Sequence, residues 1–223
     1  IISESISTPT TPSGISFGVL NKDEDYPFDK SYQFTTGGST SSLGHPVEFQ
    51  FDWKGDGSSD LSDWGNFIQS KSWTAGGVYT VRARARCVTH PEVISNWSSG
   101  LTVTIEAVSA PTVLSGTITG VPNTSYTYTT GGSVSNLIGH QVQYLFNWGD
   151  GTNSGWLAVG VTSASKTWTT GTKDGYKVKS RARCATDTLA VSDWTPELIV
   201  KMEFVSAPTK PTGPDKGLPN LSY

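Results

Sequence analysis

The amino-acid sequence repeats itself once, at a spacing of about 95 residues. Four motifs show the repeat: Ser-Tyr at 31–32 and 125–126, Thr-Thr-Gly-Gly-Ser at 35–39 and 129–133, Trp-Lys-Gly-Asp-Gly at 53–57 with Trp-Gly-Asp-Gly at 148–151, and Arg-Ala-Arg-Cys at 84–87 and 181–184. A repeat of this length matches an independently folding domain and exceeds the unit of a solenoid, which has about 20–50 residues. The chain therefore contains two copies of one module.

The repeat continues into both ends of the chain. Residues 4–10 resemble 106–112, where the first copy closes, and residues 218–223 resemble 121–126, where the second copy opens. We therefore expect a section of a longer array. The predicted divisions are a remnant of the preceding repeat's last strand at 1–8, a first domain at 9–109, a second at 110–206 and the start of a third repeat at 207–223.

The composition is typical of a turn-rich all-β protein. Charged residues make up 16% of the chain, with 24 glycines and eight tryptophans. A net charge of −3 argues against a nucleic-acid partner, which requires a basic excess. No apolar run approaches the roughly 18 residues of a membrane helix, so we expect no membrane insertion.

Strand-like segments recur between breaks rich in glycine and serine, and none has helical periodicity. The predicted strands are 31–36, 46–53, 66–74, 78–88 and 100–107 in the first copy and 125–130, 141–148, 157–169, 176–184 and 197–205 in the second. Within 46–53, apolar Phe49, Phe51 and Trp53 alternate with polar residues, as in a half-buried strand. About seven short strands per copy predict an all-β fold of two tandem two-sheet sandwiches.

Three arginines lie on the outward face of the strand predicted at 78–88. Arg82, Arg84 and Arg86 are spaced two apart, so they project from one side of the sheet about 6.6 Å from each other. Like charges at this spacing repel unless they are paired. If this strand pairs antiparallel with 46–53, Glu48 and Asp52 lie opposite arginines and form cross-strand ion pairs.

A tryptophan offers these arginines a second partner. Trp97 can place its ring between guanidinium planes, a contact that contributes about 0.5–2 kcal/mol. The second copy replaces both acids by amides, but it keeps the cations and the tryptophan as Lys179, Arg181, Arg183 and Trp194. We therefore expect a tryptophan–arginine ladder to be the stabilising device that both copies share.

Two motifs resemble known families. The Gly-Asp-Gly turn after an apolar strand, at 51–57 and 146–151, resembles that of polycystic-kidney-disease (PKD) domains, and Gly-Val-Tyr-Thr-Val at 77–81 resembles their following strand. The Tyr-x-Val-Arg-x-Arg motif followed by Ser-x-Trp resembles the arginine–tryptophan ladder of fibronectin type III modules, with a single tryptophan here. The resemblance covers both copies. It implies immunoglobulin-like sandwiches in a prokaryotic extracellular or cell-surface protein, where such modules serve as spacers, adhesive arms or fibre subunits.

Acidic residues suggest calcium ligands in the first copy only. Asp56, Asp60 and Asp63 follow the Gly-Asp-Gly turn, and a second acidic group lies at 23–29. Carboxylate oxygens suit calcium, but neither group recurs in the second copy. We therefore favour a turn in which aspartate accepts backbone hydrogen bonds.

The sequence predicts no cofactor and no other metal site. Cys87 and Cys184 occupy equivalent positions, too far apart for a disulfide, and we expect buried thiols rather than reactive ones. His45 and His140 each precede a strand without another ligand nearby in the sequence, which favours a role in a turn. His90 has no histidine counterpart in the second copy.

Trp64 and Trp156 follow the Gly-Asp-Gly turns and have two interpretations. They either close the edge of the sandwich as lids, which we favour, or form exposed platforms that stack on sugar rings. No constellation of catalytic residues recurs in both copies, so we expect a protein that is not an enzyme.

The favoured function is a structural repeat module of an extracellular fibre, stalk or surface layer. Its partners are then further copies or flanking repeats joined head to tail, and we expect residues 207–223 to dock against the next first domain by strand addition. The alternative is a carbohydrate-binding or adhesin module that recognises surface glycans.

Overall fold

The structure, a computed structural model, describes residues 3–23, 31–203, 205 and 210. The predicted start of a third repeat at 207–223 lies outside the described residues, apart from Lys210. Residues 1–2 and most of the acidic group at 23–29 also lie outside them. In the described part of the chain no residue is helical, so it holds no helix of the length and apolarity that a membrane crossing requires.

The fold is all-β, as predicted, and each copy of the repeat forms its own set of sheets. The first unit contains β1 (Phe17–Val19), β2 (Tyr32–Thr35), β3 (Val47–Asp52), β4 (Ile68–Lys71), β5 (Gly77–Cys87) and β6 (Leu101–Glu106). The second unit contains β7 (Val113–Gly116), β8 (Thr119–Gly120), β9 (Ser125–Gly131), β10 (Val142–Asn147), β11 (Ser163–Thr167), β12 (Tyr176–Cys184) and β13 (Leu198–Met202).

The first unit is a sandwich of a four-stranded sheet and the β2–β4 pair. The order of the larger sheet is β1-β6-β5-β3, with β1 parallel to β6 and the other pairs antiparallel. Phe34 from β2 meets Phe51, Val81 and Val103 from the larger sheet in one buried cluster. Because β5 alternates, its apolar side chains enter this core while its arginines face the other way.

The second unit repeats this architecture. Its sheets have the orders β10-β12-β13-β8 and β11-β9-β7. Tyr128, Phe146 and Val178 take the places of Phe34, Phe51 and Val81 in the core. In both cores a phenylalanine stacks on the tryptophan two residues later, with ring planes 7° apart for Phe51–Trp53 and 3° for Phe146–Trp148.

Three strands were not predicted, namely β1, β7 and β8. They have four residues or fewer, contain glycine and carry few buried side chains, so they lack an alternating pattern. β1 and β8 are strands only because they pair in parallel with β6 and β13, the last strands of their units. The strand predicted at 157–169 is shortened to β11, because residues before it form the loop that carries Trp156.

The Gly-Asp-Gly turn after β3 depends on Asp52 and on glycine. The Asp52 carboxylate accepts hydrogen bonds from the backbone amides of Gly55 and Gly57, both at 2.7 Å. Gly55 has a φ of 80°, and a Cβ there would lie 2.8 Å from the Thr80 side chain. Only glycine adopts this conformation without strain and clash.

Candidate functional site

The outward face of the first unit carries a continuous ladder of arginines and tryptophans. Trp97 lies between Arg82 and Arg84, whose guanidinium carbons are 5.5 and 4.5 Å from its ring centroid. Trp64 lies between Arg84 and Arg86, at 5.2 and 4.5 Å. Each tryptophan therefore separates two like charges, and Arg84 contacts both rings. Burial lowers the pKa of the Arg84 guanidinium, which remains charged at physiological pH.

The neighbouring strand supplies hydrogen-bond acceptors for the same three arginines. In the antiparallel register Glu48 lies opposite Arg86, Gln50 opposite Arg84 and Asp52 opposite Arg82. The matching contacts are Arg86 Nε to Glu48 Oε1 at 2.7 Å, Arg84 Nη2 to Gln50 Oε1 at 2.7 Å and Arg82 Nη2 to Asp52 Oδ2 at 2.8 Å. The predicted cross-strand ion pairs are confirmed.

The second unit has the same ladder with one lysine. Trp194 lies between Lys179 and Arg181, 4.6 Å from the ammonium and 4.4 Å from the guanidinium carbon. Trp156 lies between Arg181 and Arg183, at 5.7 and 4.5 Å. The order of cations and rings therefore matches that of the first unit.

The positions of Trp64 and Trp156 differ from both sequence interpretations. Each ring contacts two guanidinium groups, so it is neither a lid on the core nor a free platform, and each ladder contains two tryptophans instead of one. Backbone hydrogen bonds direct the rings there: Gly65 pairs with Phe49 through bonds of 2.8 and 2.9 Å, and Leu157 donates to Tyr144 at 2.8 Å. The sequence signal that could have placed these two tryptophans in the ladders was their recurrence after both Gly-Asp-Gly turns.

The second ladder draws one of its acceptors from the first unit. Leu145 lies opposite Arg181 in the register and offers no acceptor. Asp23 supplies it, with its Oδ1 2.8 Å from Arg181 Nη1 and its Oδ2 3.1 Å from Nη2. Beside this pair, the Lys22 amide donates to the Val191 carbonyl at 3.0 Å. The central arginine of the second ladder is therefore an inter-unit contact.

Substitution of Asp23 tests this contact. Asp23→Asn is expected to lower the free energy of unfolding of the second unit by about 1–2 kcal/mol, because Arg181 loses a charged, partly buried partner. Denaturant titration of the full chain would measure the loss, with Asp193→Asn, an exposed carboxylate of the same unit, as the control. Equal midpoints for the two variants would contradict the inter-unit pair.

A buried glutamate at the end of β6 forms the second contact between the units. Glu106 is fully buried, and its Oε1 accepts a hydrogen bond of 2.7 Å from Ser135 Oγ and lies 2.9 Å from His140 Nδ1. The next residue, Ala107, donates its amide to Asn136 Oδ1 at 2.8 Å. The last strand of the first unit is thus bonded to the second unit through side chains.

Glu4 makes the equivalent contacts on the first unit. Its carboxylate accepts a hydrogen bond from Ser41, and its two oxygens lie 3.0 Å from His45 Nδ1 and 2.7 Å from His90 Nδ1. The hydrogen bond from Ser41 above all, with further bonds from His90, Cys87 and His45, lowers the pKa of Glu4 to about 2. Each sandwich therefore receives a glutamate from the segment that precedes it.

The two cysteines are buried and free, as predicted, and each lies beside these groups. Cys87 Sγ lies 3.7 Å from His45 Nδ1 and 4.0 Å from His90 Nδ1, and Cys184 Sγ lies 3.5 Å from His140 Nδ1. Burial raises the pKa of the Cys184 thiol.

These side chains form two clusters of metal-binding atoms, each within a span of 4.8 Å. The first donor cluster is Glu4, His45, Cys87 and His90; the second donor cluster is Glu106, His140 and Cys184. The sequence places no other ligand near His45 or His140 and favours a turn role for both, but in the fold their neighbours in the donor clusters come from distant segments. The recurrence of Glu, His and Cys at equivalent positions was the overlooked signal.

Of the three calcium candidates, Asp56 makes the contacts of a turn. The Asp56 carboxylate accepts hydrogen bonds from the Ser59 side chain and from the amides of Ser59 and Ser58, and these bonds hold its pKa well below the usual range. Asp60 pairs with Lys71. Across the described residues, none of Asp56, Asp60 and Asp63 belongs to a donor cluster.

No protein-family model matches the chain, and no curated protein matches it. Among solved structures, the PKD domain of an M14-like peptidase from a Thermoplasmatales archaeon is 22% identical with a TM-score of 0.34, covering 45% of this chain and 94% of that one. Fibronectin type III-like modules from Clostridium thermocellum are 14% identical with a TM-score of 0.32, covering 89% and 100%. Three N-terminal domains of the bacteriophage RB49 Highly Immunogenic Outer Capsid protein are 12% identical with a TM-score of 0.40, covering 91% and 71%. Two of these structures are a PKD domain and fibronectin type III-like modules, the two families that the sequence motifs resemble.

Proposed function

We propose that this chain is a structural section of an extracellular fibre, stalk or surface layer whose sandwiches are joined head to tail. The observation that carries the proposal is that one junction is built twice. Glu106 enters a serine–histidine pocket on the second unit, and Glu4 enters the equivalent pocket on the first. A pocket that receives the preceding segment in the same way on each unit suits serial assembly.

Backbone hydrogen bonds and apolar contacts reinforce each junction. The Ser109 amide donates to the Val134 carbonyl at 2.9 Å, and the Ser7 amide donates to the Thr40 carbonyl at 3.0 Å. Val108 packs into the end of the second sandwich as Ile6 does into the first. These contacts leave little freedom of motion between a unit and the segment before it. A rigid junction of this kind suits a spacer better than a flexible linker would.

In this proposal the charged side chains on the outward faces stabilise the two sandwiches rather than bind a ligand. The most concentrated charges, the six cations of the two ladders, are stacked on tryptophans, and four of them also bond to a side chain of the neighbouring strand, namely Arg82, Arg84, Arg86 and Arg183. A ring that contacts two guanidinium groups has less free face for a sugar, so the ladder geometry favours the structural role over carbohydrate binding. We propose no catalytic role for the chain.

Deletion of residues 207–223 tests head-to-tail assembly. We expect both sandwiches to stay folded and end-to-end association to be lost, because in the proposed assembly this segment docks on the next unit as an added strand. Multi-angle light scattering at rising concentration measures association, and circular dichroism checks folding. The control is a chain of equal length in which a glycine–serine linker replaces 207–223. Association that persists in both variants would refute the docking.

A further inference from the structure

The first donor cluster brings together four different side chains at the junction ahead of the first sandwich. Glu4 comes from the preceding segment, His45 from the turn before β3, Cys87 from the end of β5 and His90 from the third residue after it. The donor atoms are one carboxylate oxygen, two imidazole nitrogens and one sulfur. Zinc binds all three of these donor types and is almost always four-coordinate in structural sites.

The distances between the donors are close to those of a bound tetrahedral ion. Zinc–ligand bonds of about 2.0–2.3 Å at tetrahedral angles separate an oxygen and a nitrogen by about 3.4 Å, and a nitrogen and a sulfur by about 3.6 Å. In the cluster, the two histidine nitrogens lie 3.0 and 2.7 Å from glutamate oxygens and 3.7 and 4.0 Å from the sulfur. These four separations therefore differ from those around a bound tetrahedral ion by about 0.7 Å or less.

The second donor cluster supplies an independent observation. Glu106 is fully buried, and its Oε2 has no hydrogen-bond partner. A buried carboxylate oxygen without a partner is costly. It lies in the group that repeats the Glu, His and Cys of the first cluster, so a cation coordinated there would satisfy it.

Both cysteines are also arranged as ligands. Cys87 Sγ accepts a hydrogen bond from the His90 amide, and Cys184 Sγ accepts one from the Asp187 amide, both at 3.2 Å. These bonds hold each sulfur inside its cluster, and a metal ion that coordinates a cysteine takes it as the thiolate. Asp187 stands where the first unit has His90, and its Oδ1 accepts a bond from Leu189, so the second cluster has three converging donors.

We propose that the first donor cluster binds a divalent transition-metal ion of the zinc class through all four side chains, and that the second is a weaker three-donor version of the same site. The sulfur and nitrogen donors exclude calcium and magnesium as preferred ions. His90 and His45 are 45% and 31% exposed while the glutamate beneath them is 5% exposed, so an ion reaches the site from solvent without unfolding.

The bound ion would clamp the junction. In each cluster the glutamate belongs to the segment that precedes a sandwich, and the other donors belong to the sandwich itself. An ion at the second site links the last strand of the first unit to the second unit. Binding depends on these side chains alone and not on assembly into a fibre.

Cobalt(II) titration of the reduced full chain tests the site directly. We expect intense visible bands of tetrahedral cobalt and a sulfur-to-cobalt charge-transfer band that saturate at one equivalent, followed by weaker binding of a second, and displacement by zinc. Zinc should raise the melting temperature, because an ion that binds only the folded state stabilises it. A chain with no charge-transfer band and no zinc-dependent melting shift would overturn the proposal and leave only histidine–carboxylate hydrogen bonds.

Two reciprocal substitutions, at residues 90 and 187, exchange the residue by which the two donor clusters differ. His90→Asp gives the first cluster the second's side chains and should weaken its affinity for cobalt by about tenfold or more. Asp187→His gives the second cluster a fourth donor, so the chain should then bind two cobalt ions tightly instead of one. Both positions are partly exposed, so folding should persist. Cys87→Ser should remove the charge-transfer band of the tight site. Tight binding that these three variants leave unchanged would place the ion elsewhere and refute the assignment.

Discussion

Asp52→Ala is expected to lower the free energy of unfolding of the first unit by about 3 kcal/mol, one of the largest losses from a single polar side chain in the chain. Asp52 is fully buried, and its carboxylate bonds to Arg82 and to the amides of Gly55 and Gly57. Alanine removes all of these bonds, which leaves the turn amides and the guanidinium without their acceptor. Urea denaturation followed by tryptophan fluorescence measures the loss.

The second unit provides the matched control for Asp52. Asn147 occupies the equivalent position and holds its own turn by accepting from the Gly149 amide at 2.9 Å. Asp52→Asn should therefore cost less, about 1–2 kcal/mol, since one oxygen remains for the Gly55 amide while the bonds of the other oxygen to the Gly57 amide and to Arg82 are lost. If alanine and asparagine proved equally destabilising, the hydrogen bond to the Gly55 amide would contribute nothing.

Arg84→Ala is expected to destabilise the first unit by about 2–3 kcal/mol. Arg84 is the centre of the ladder, where it contacts the rings of Trp97 and Trp64 and donates two hydrogen bonds, of 3.0 and 2.7 Å, to Gln50. Its removal leaves two tryptophans facing a gap and a half-satisfied glutamine. The same denaturation experiment, with near-ultraviolet circular dichroism of the tryptophans, reports the change.

Arg84→Lys separates charge from geometry. Lysine keeps the positive charge but cannot lie flat between two rings while it bonds twice to Gln50. We expect an intermediate loss of stability, although the second ladder shows that lysine is accommodated at the end, where Lys179 contacts one ring. Wild-type stability for Arg84→Lys would mean that the planar stack contributes nothing beyond charge.

Local sequence patterns sufficed for the central sheet of each unit. The alternation of apolar and polar residues predicted the bounds of β3 and β5 to within two residues. It also predicted that their apolar side chains face inward. The register that sets Asp52 opposite Arg82 followed from antiparallel pairing of those strands. These features depend on residues close in the chain or on a pairing that the side-chain period of two restricts.

The ladder was only half predicted from the same patterns. Trp97 lies in the Ser-x-Trp motif after the arginine strand, so its position beside the arginines could be inferred from that motif. Trp64 approaches from a loop whose path depends on the bridge between Gly65 and Phe49, and no periodicity describes that loop. The pairing of Asp23 with Arg181 was still harder to predict from the sequence, because the two residues belong to different units.

The amino-acid sequence by itself determined that this protein is a tandem of two β-sandwiches with a cationic row on each, because the repeat can be read from the order of residues and the alternation is a property of neighbouring residues. Only the tertiary structure decided which distant groups share a pocket. Glu4, His45 and Cys87 are each about forty residues apart, and their convergence depends on how the preceding segment docks on the end of the sandwich. The physical reason is that strand formation is governed by local burial, whereas a site at a junction is defined by the packing of one folded unit against the segment before it.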